Sequence, residues 1–211
     1  MRLTLPKIYP LTDTVVSGLS HTEQVRRLLA GGATMIQLRE KRAAPATFID
    51  DAIAATRLAH QHGAKVIIND RVDVALAVNA DGVHLGQDDL PVRAARRLLG
   101  EESLIGFSTH TLDQVKAALD LPIDYLAFGP VFTTSTKDRP DPVVGLERVA
   151  EVARLTRGLP LVAIGGITQS SLRAVLESGA AAVALISAVL TGGSDITENL
   201  QILKAQAESA T

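Results

Sequence analysis

The sequence predicts a single α/β domain, a (β/α)8 barrel of the TIM type, over residues 1–211. Short runs rich in Ile, Val and Leu occur eight times, an amphipathic stretch separates each run from the next, and a polar or glycine-bearing turn follows each one. Buried parallel strands that alternate with covering helices produce this pattern. A chain of 211 residues suits one such barrel and is too short for two domains with ample cores.

The eight apolar runs are the predicted strands, and their number favours closure into a barrel. They are Ile8–Leu11, Met35–Leu38, Val66–Ile68, Gly82–Leu85, Leu104–Phe107, Tyr125–Phe128, Leu161–Ile164 and Ala182–Ile186. The alternative is an open doubly wound sheet. It is disfavoured because the chain has eight units and no G-x-G-x-x-G fingerprint.

Four of the intervening helices have readable ends, because glycine follows each of them and two of them start at a proline or a capping threonine. They begin at His21, Ala46, Pro91 and the capping residue Thr168, and they stop at Gly31, Gly63, Gly100 and Gly179. The longest stretch without a periodic pattern is Gly129–Val144, which contains three prolines. Loops of that length in compact domains are usually functional or disordered, so an active-site loop is predicted there.

Composition and charge exclude several classes of function. The net charge is −2 and no basic run exceeds a pair such as Arg96-Arg97, which argues against binding nucleic acid. The absence of cysteine excludes disulfides, thiol catalysis and thiolate metal sites. No apolar run approaches the ~20 residues that span a bilayer. We therefore expect a cytoplasmic protein with small-molecule partners and no membrane contact, and the sequence leaves a homo-oligomer open.

The second unit places polar side chains at the carboxyl end of its strand, where barrels of this kind hold their chemistry. Strand periodicity puts Gln37, Arg39 and Lys41 on one face, whereas Ile36 and Leu38 face the helices. Two cations and an amide are then expected to converge at the rim. The alternative is a solvated strand end with ordinary surface charges.

The third and fourth units end in residues that carry short side-chain oxygens. Asn69-Asp70 follows one strand, and Asp88-Asp89 follows the next. Asn69 and Asp70 are also residue types that cap helices, and the residues alone leave that role open. Magnesium prefers one or two carboxylates together with water and phosphate oxygens, so a pair of rim aspartates suits Mg²⁺ bridging to a diphosphate.

The last four units supply hydroxyls, a lysine and glycines. Ser108 and the run from Thr133 to Lys137 can donate hydrogen bonds and a charge to phosphate, although an ordinary polar loop is the alternative. His110 is either a general base or a residue that opens the next helix. Gly165-Gly166 and Ile186-Ser187 follow the seventh and eighth strands, where barrels often bind phosphate with backbone N–H groups. A second anionic site is expected there, although the two glycines alone could make only a tight turn.

Taken in order along almost the whole chain, these motifs closely resemble those of the thiamine-phosphate synthase family. The motifs are Gln37-Leu38-Arg39-Glu40-Lys41, Asn69-Asp70, His84-Leu85-Gly86-Gln87-Asp88-Asp89, Gly106-Phe107-Ser108-Thr109-His110, Thr134-Ser135-Thr136-Lys137 and Ile164-Gly165-Gly166-Ile167. The resemblance implies that 4-amino-2-methyl-5-hydroxymethylpyrimidine diphosphate condenses with a thiazole ethyl phosphate, or its carboxylated form. The products would be thiamine phosphate and diphosphate.

The resemblance also implies roles for individual residues. Those expected to hold the pyrimidine diphosphate are Gln37, Leu38, Arg39, Glu40, Lys41, Asn69, Ser108 and Lys137. Those expected to hold the thiazole phosphate are Thr134, Ser135, Thr136, Gly166, Ile186 and Ser187. Asp70 and Asp89 would bind the cofactor Mg²⁺. Catalysis would depend on Arg39, Lys41, Ser108 and Lys137, which neutralise or hydrogen-bond the departing diphosphate.

Two residues depart from the family pattern, and two other functions compete with the synthase. Thr133 stands where the family usually has proline, and Asp88 stands where glutamate is common, so Asp89 is assigned to the metal by alignment alone. A thiazole tautomerase is the alternative enzyme, with His110 as its base. A sensor that binds the ligand without turnover is the non-catalytic alternative. The diphosphate and metal residues favour the synthase, because neither competitor needs them.

Overall fold

The computed structural model describes residues 3–134, 141–156, 158–191 and 195–209. Eight parallel strands pair in sequence order, and the first also pairs with the last, so the barrel is closed. The strands are β1 (Ile8–Thr12), β2 (Met35–Leu38), β3 (Lys65–Asn69), β4 (Gly82–Leu85), β5 (Leu104–Thr109), β6 (Tyr125–Phe128), β7 (Leu161–Ile164) and β8 (Ala182–Leu185). The predicted fold class is confirmed.

Helices surround the barrel. They are α1 (Thr14–Ser17), α2 (His21–Ala30), α3 (Pro45–Gln61), α4 (Val72–Ala77), α5 (Val92–Leu99), α6 (Leu112–Ala118), α7 (Gly145–Leu155), α8 (Leu172–Glu177), α9 (Ser187–Leu190) and α10 (Ile196–Glu208). Within the described part of the chain, no helix is long and apolar enough to cross a membrane.

All eight predicted strands are present, with ends that differ by two residues or fewer. One predicted helix start is wrong. The residue that precedes α8 is Ser171, and the Thr168 carbonyl accepts hydrogen bonds from the N–H groups of Ser171 (3.2 Å) and Leu172 (3.0 Å) in a turn before the helix. The helix therefore begins at Leu172, after Ser171.

The core has two layers, as the strand periodicity predicts. Residues that face outward, such as Ile36 and Leu38, pack against the helices. A smaller group fills the barrel interior, and Tyr9, Met35 and Tyr125 are its largest members. Higher in the interior the side chains are smaller, for example Ala127, which leaves room at the carboxyl ends of the strands.

Candidate active site

A cavity of about 590 Å³ opens at the carboxyl ends of the strands. Its volume lies in the range of pockets that bind small molecules, roughly 300–1,000 Å³. Nine polar side chains from the β2 to β5 side of the barrel form what we call the charged wall: Gln37, Arg39, Lys41, Asn69, Asp70, His84, Asp88, Asp89 and Ser108. The opposite side is the apolar wall: Tyr9, Leu11, Ala127, Val162, Ile164 and Ala184.

Arg39 and Gln37 reach the cavity from β2 as strand periodicity predicts, and Arg39 is held by a buried carboxylate. Its guanidinium donates to Asp13, which also accepts the Val15 and Val16 N–H groups at the start of α1 (3.0 and 3.1 Å). Asp13 is only 6% exposed. Because two backbone N–H groups hold the Asp13 carboxylate, its ion pair keeps the Arg39 guanidinium in one place at the rim.

Leu38 and Glu40 do not line the cavity with their side chains. Leu38 packs outward among the helices. Glu40 turns toward α2, where its carboxylate accepts the Arg42 and Ala43 N–H groups at 2.7 and 3.0 Å and contacts the ring of His21 at 3.3 Å. The expected substrate contact through these two side chains is therefore not what the structure shows. Glu40 fixes the turn that carries Lys41.

Hydrogen bonds to the Glu40 carboxylate also govern its acidity. Burial by itself would raise the pKa of Glu40, but the two backbone N–H groups, the Thr14 hydroxyl and His21 outweigh burial and lower it to about 2. Burial lowers the pKa of His21, so its ring is neutral near pH 7. A carboxylate only accepts, so His21 Nε2 donates to Glu40 and Nδ1 accepts from Thr12 Oγ1 at 2.7 Å.

Asp70 and Asp89 lie next to each other, as the rim positions of neighbouring strands predict. Asp70 has a φ of 63° and its carboxylate accepts from Lys41. Asp89 accepts the Gly86 N–H at 2.7 Å. Burial raises the pKa of Asp89, the Gly86 N–H opposes that rise, and the adjoining Asp70 carboxylate raises the pKa further. Two adjacent carboxylates at the rim are an arrangement that suits a bound cation.

The alternative role of Asn69 and Asp70 as helix caps is wrong. The residue that precedes α4 is Arg71, and no side chain caps that helix. The described residues contain no group of three or more His, Cys, Asp or Glu that could surround a metal. A metal here would have two carboxylates and take its other ligands from water and substrate, which is the set that Mg²⁺ prefers.

Ser108 lines the charged wall and is hydrogen-bonded from below by His84, whose Nε2 lies 2.8 Å from Ser108 Oγ. Burial lowers the pKa of His84 to about 4, the carboxylate of Asp70 raises it and the ammonium of Lys41 lowers it further. The ring is therefore neutral near pH 7. Asn69, at the end of β3, lines the same wall.

His110 lies at the edge of the cavity and does not open α6, whose capping residue is Thr111. Its Nδ1 donates to the Gly129 carbonyl at 2.6 Å, and its Nε2 lies 3.5 Å from the Asp141 carboxylate. The ring thus joins β5 to the loop that follows β6. That arrangement gives His110 a structural role at the cavity wall.

Thr134, Gly166, Ile186 and Ser187 line the side of the cavity toward β6 to β8. Ser135, Thr136 and Lys137 lie outside the described residues. Gly166 has a φ of +65°, and a Cβ there would come within 2.4 Å of the Thr133 carbonyl oxygen. Glycine is required because the loop after β6 packs directly on the turn after β7. This close packing brings the two loops together over one part of the cavity.

Several cavity residues had no predicted role. They are Tyr9, Leu11, His84, Gly86, Gln87, Gln114, Ala127, Gly129, Pro130, Asp141, Val162, Ile164, Ile167, Ala184 and Leu185. His84 had a readable signal, because it is a polar residue at an inward position of an otherwise apolar strand. Tyr9 and Tyr125 meet across the barrel from β1 and β6. The periodicity of a strand indicates which face a residue occupies, and it does not predict which residue of a distant strand lies opposite.

A closed parallel barrel whose carboxyl end gathers opposed charged and apolar walls belongs to the class of (β/α)8-barrel enzymes that act on small charged molecules. The profile of the thiamine monophosphate synthase family matches residues 8–189. The chain belongs to this family, and it is a transferase.

Named relatives agree with this assignment. Thiamine-phosphate synthase of Caldicellulosiruptor saccharolyticus is 41% identical over 93% of this chain and 88% of its own length. Thiamine-phosphate synthase of Syntrophomonas wolfei is 44% identical over 90% of each chain. Thiamine phosphate pyrophosphorylase from Pyrococcus furiosus superposes with a TM-score of 0.87 at 36% identity, covering 97% of this chain and 96% of its own. The comparisons give no support to the tautomerase alternative.

Proposed function

We propose that this chain joins 4-amino-2-methyl-5-hydroxymethylpyrimidine diphosphate to a thiazole ethyl phosphate, or its carboxylated form, and that Asp70 and Asp89 hold the Mg²⁺ this requires. The products are thiamine phosphate and diphosphate, and CO2 is also released when the carboxylated form is the substrate. Because both substrates carry phosphate charges that do not cross bilayers unaided, we place the reaction in the cytoplasm.

The charge balance of the cavity carries the proposal of a metal. Among the described residues that line it, the cationic side chains are Arg39 and Lys41, whereas the carboxylates are Asp70, Asp88, Asp89 and Asp141. On these residues alone the excess of negative charge disfavours a diphosphate, and a cation that accompanies the diphosphate would offset it. Asp89 is consistent with the same proposal, because burial first and the neighbouring Asp70 carboxylate second raise its pKa, and a bound cation would offset both effects.

The reaction needs a leaving group to be stabilised and needs no side-chain nucleophile. The bond between the pyrimidine methylene carbon and the diphosphate oxygen breaks, and its electron pair leaves on the diphosphate. The lone pair of the thiazole nitrogen then forms the new C–N bond. When bound, Mg²⁺ would act as a Lewis acid on the diphosphate oxygens. Arg39 and Lys41 neutralise charge that develops on the same group, and Asn69 and Ser108 donate hydrogen bonds to it.

The apolar wall suits the two rings. Ala127, Val162 and Ala184 present small apolar side chains, which leave space for flat heterocycles and keep water away from the reacting carbon. Gly166 and Ser187 lie beside that wall, and we assign the thiazole phosphate to them together with Thr134, Ser135 and Thr136. Lys137 is proposed to complete the charge around the diphosphate.

The test is formation of thiamine phosphate from the two purified substrates, with Mg²⁺ and with a chelator. Product should form only with the metal. Asp70→Asn and Asp89→Asn should each reduce kcat by about 10²-fold, the cost of losing one electrostatic stabiliser in an active site. Asp73→Asn is the matched control, because Asp73 is exposed on α4 and pairs with Arg71. No product from the wild-type protein would refute the reaction, and product formed equally well with the chelator would refute the metal.

A further inference from the structure

Five side chains, four of them buried and the fifth, Ser108, partly exposed, form a continuous hydrogen-bonded row across the barrel at the floor of the cavity. The successive distances are 3.1 Å from Gln37 Nε2 to Tyr9 Oη, 3.2 Å from Tyr9 Oη to Tyr125 Oη, 3.0 Å from Tyr125 Oη to His84 Nδ1 and 2.8 Å from His84 Nε2 to Ser108 Oγ. We call this set the buried polar row. The proposed stabilisation of the leaving group assigns no role to Tyr9, Tyr125 and His84, the three middle members of the row.

Ring packing fixes the middle of the row. Tyr9 meets Tyr125 edge-on, with centroids 6.0 Å apart, and His84 stacks on Tyr125 at 5.5 Å. A Cβ at residue 106 would lie 2.1 Å from Tyr125 Cζ, so Gly106 creates the space that the phenol fills. The hydroxyl of Tyr125 is therefore held between Tyr9 and His84, and the row has one geometry.

The number of protons sets the direction in which the row donates. Gln37 Nε2 donates to Tyr9, so the Tyr9 proton goes to Tyr125 and the Tyr125 proton goes to Nδ1 of His84. The single proton of the neutral imidazole then lies on Nε2 and points at Ser108 Oγ. Every proton between Gln37 and Ser108 has an acceptor in this order.

The other imidazole tautomer needs a different orientation of the Gln37 amide. With a proton on Nδ1, Tyr125 would donate to Tyr9, and the Tyr9 proton would need Gln37 Oε1 as its acceptor. The amide would have to turn over for this, because Oε1 is buried and has no hydrogen-bond partner where it lies. The first order is favoured because it keeps the amide as the structure has it.

We propose that the buried polar row makes Ser108 an obligatory hydrogen-bond donor to the ligand. Because Ser108 Oγ already accepts from His84, its own proton is directed toward the cavity, where an anionic oxygen can accept it. Tyr9, Tyr125 and His84 are thus positioning residues that act through Ser108. The inference rests on the proposed function, in which Ser108 contacts the pyrimidine diphosphate.

The tautomer of His84 tests the direction of the row without any substrate. Nitrogen-15 NMR separates protonated from unprotonated imidazole nitrogens, and the signals that disappear in His84→Asn identify this ring among the five histidines. Near neutral pH we expect the proton on Nε2 in the wild-type protein. A ring that is protonated on Nδ1 would mean that the row donates in the opposite direction, and this would overturn the proposal.

A double-mutant cycle tests the action through Ser108. Tyr125→Phe keeps the ring and removes the proton that Nδ1 accepts, and it should lower kcat/KM for the pyrimidine diphosphate about tenfold, the worth of one hydrogen bond. In a Ser108→Ala background the same change should have less than a twofold effect. Equal losses in both backgrounds would show a general structural role and overturn the proposal.

Thr109→Val is the matched control. Thr109 is the next residue on β5, and its buried hydroxyl donates to the Ala127 carbonyl at 2.9 Å, outside the row. Its removal should lower stability and leave kcat/KM unchanged. If Ser108→Ala itself has no effect while thiamine phosphate still forms, the donor role of Ser108 is refuted and the proposed reaction stands.

Discussion

In the proposed metal site, Lys41 would compete with Mg²⁺ for Asp70. Its ammonium donates to the Asp70 carboxylate, and the lysine side chain is about half exposed. When a diphosphate enters, the ammonium gains a second anionic partner and can release the carboxylate. Exposed ion pairs of this kind contribute about 0.2–1 kcal/mol. Metal binding to the free protein therefore has to displace Lys41, whereas metal binding with diphosphate does not.

Lys41→Met should consequently raise the affinity of the free protein for Mn²⁺ about two- to fivefold, measured by titration with electron paramagnetic resonance. The same variant should lose about 10²-fold in kcat, because the leaving group loses a cation. Lys65→Met is the control. Lys65 pairs with Asp81 at 3.3 Å at the opposite end of the barrel. Its replacement by methionine changes the net charge of the protein by the same amount as Lys41→Met. An equal gain in Mn²⁺ affinity in both variants would contradict the competition.

Glu40 contributes stability that depends on pH. Its folded pKa of about 2 lies below its ordinary value of 4.5, so the contribution is fully present above pH 4.5 and is lost as pH falls toward 2. Glu40→Gln should lower the free energy of unfolding by about 2 kcal/mol at pH 7, the scale of hydrogen bonds to a charged acceptor. Denaturant unfolding from pH 7 to pH 3 should show this difference shrinking below pH 4.5. A difference that stays constant to pH 3 would contradict the assignment.

Among the elements, the turn after β7 and the loop after β6 depend on each other. The Val131 N–H donates to the Ile164 carbonyl at 2.9 Å, and the Phe132 N–H donates to the Gly165 carbonyl at 3.0 Å. The backbone of Gly166 fits beneath Thr133 because it has no side chain. A change at Gly166 therefore acts on the position of the loop as well as on its own backbone.

Gly166→Ala should raise the KM for the thiazole phosphate tenfold or more, an order of magnitude consistent with the cost of misplacing binding groups. Its stability should fall by about 1–3 kcal/mol because alanine disfavours positive φ. Gly63→Ala separates the two effects, since Gly63 has a φ of +70° and nothing within 4 Å of an added Cβ. That control should lose stability with an unchanged KM. A comparable rise in KM in both variants would argue against loop displacement.

For the molecule as a whole, the two ends of the barrel have different tasks. The carboxyl ends of the strands carry the cavity, and the opposite end carries contacts that stabilise the fold. Away from the cavity, Arg96 is 9% exposed and donates to Asp124 at 2.7 Å and to the carbonyls of Gly100 (3.0 Å), Ser103 (2.5 Å) and Pro122 (3.1 Å). These contacts join the loops that precede β5 and β6. We therefore expect Arg96 and its partners to support the fold, and we expect catalytic activity not to depend on them.

Arg96→Ala should lower the free energy of unfolding by about 3–5 kcal/mol, because the Asp124 carboxylate loses its partner in a partly buried site. Its kcat at a temperature where it is folded should equal that of the wild-type protein. Chemical denaturation and steady-state kinetics measure the two quantities. A large loss of kcat in the folded variant would show that the two ends are coupled.

The strands and the charged wall were predictable because they obey local rules. Each buried strand is an apolar run, and alternation correctly assigns Gln37 to the interior and Leu38 to the helices. The same alternation places Glu40 on the side of Leu38, so the family motif was less informative there than strand geometry. Asp70 and Asp89 meet because neighbouring parallel strands end at one rim.

Contacts across the barrel were not predictable in this way. Tyr9 and Tyr125 are 116 positions apart in sequence, and their hydroxyls meet only because the barrel closes. The start of α8 was missed for a local reason, since Thr168 closes a turn that competes with the helix. Long-range pairing and competing turns are the two features that periodicity does not encode.

The charged wall is supplied by residues 37–108, whereas the small apolar side chains and the glycine turn come from residues 127–187. In the proposed reaction, the leaving group and the acceptor ring are thus recognised by consecutive stretches of the chain. Exchanging residues 127–187 between related barrels should therefore alter which heterocycle is accepted and leave the departure of the diphosphate unchanged. The preference for the nucleophile can then evolve independently of the leaving group.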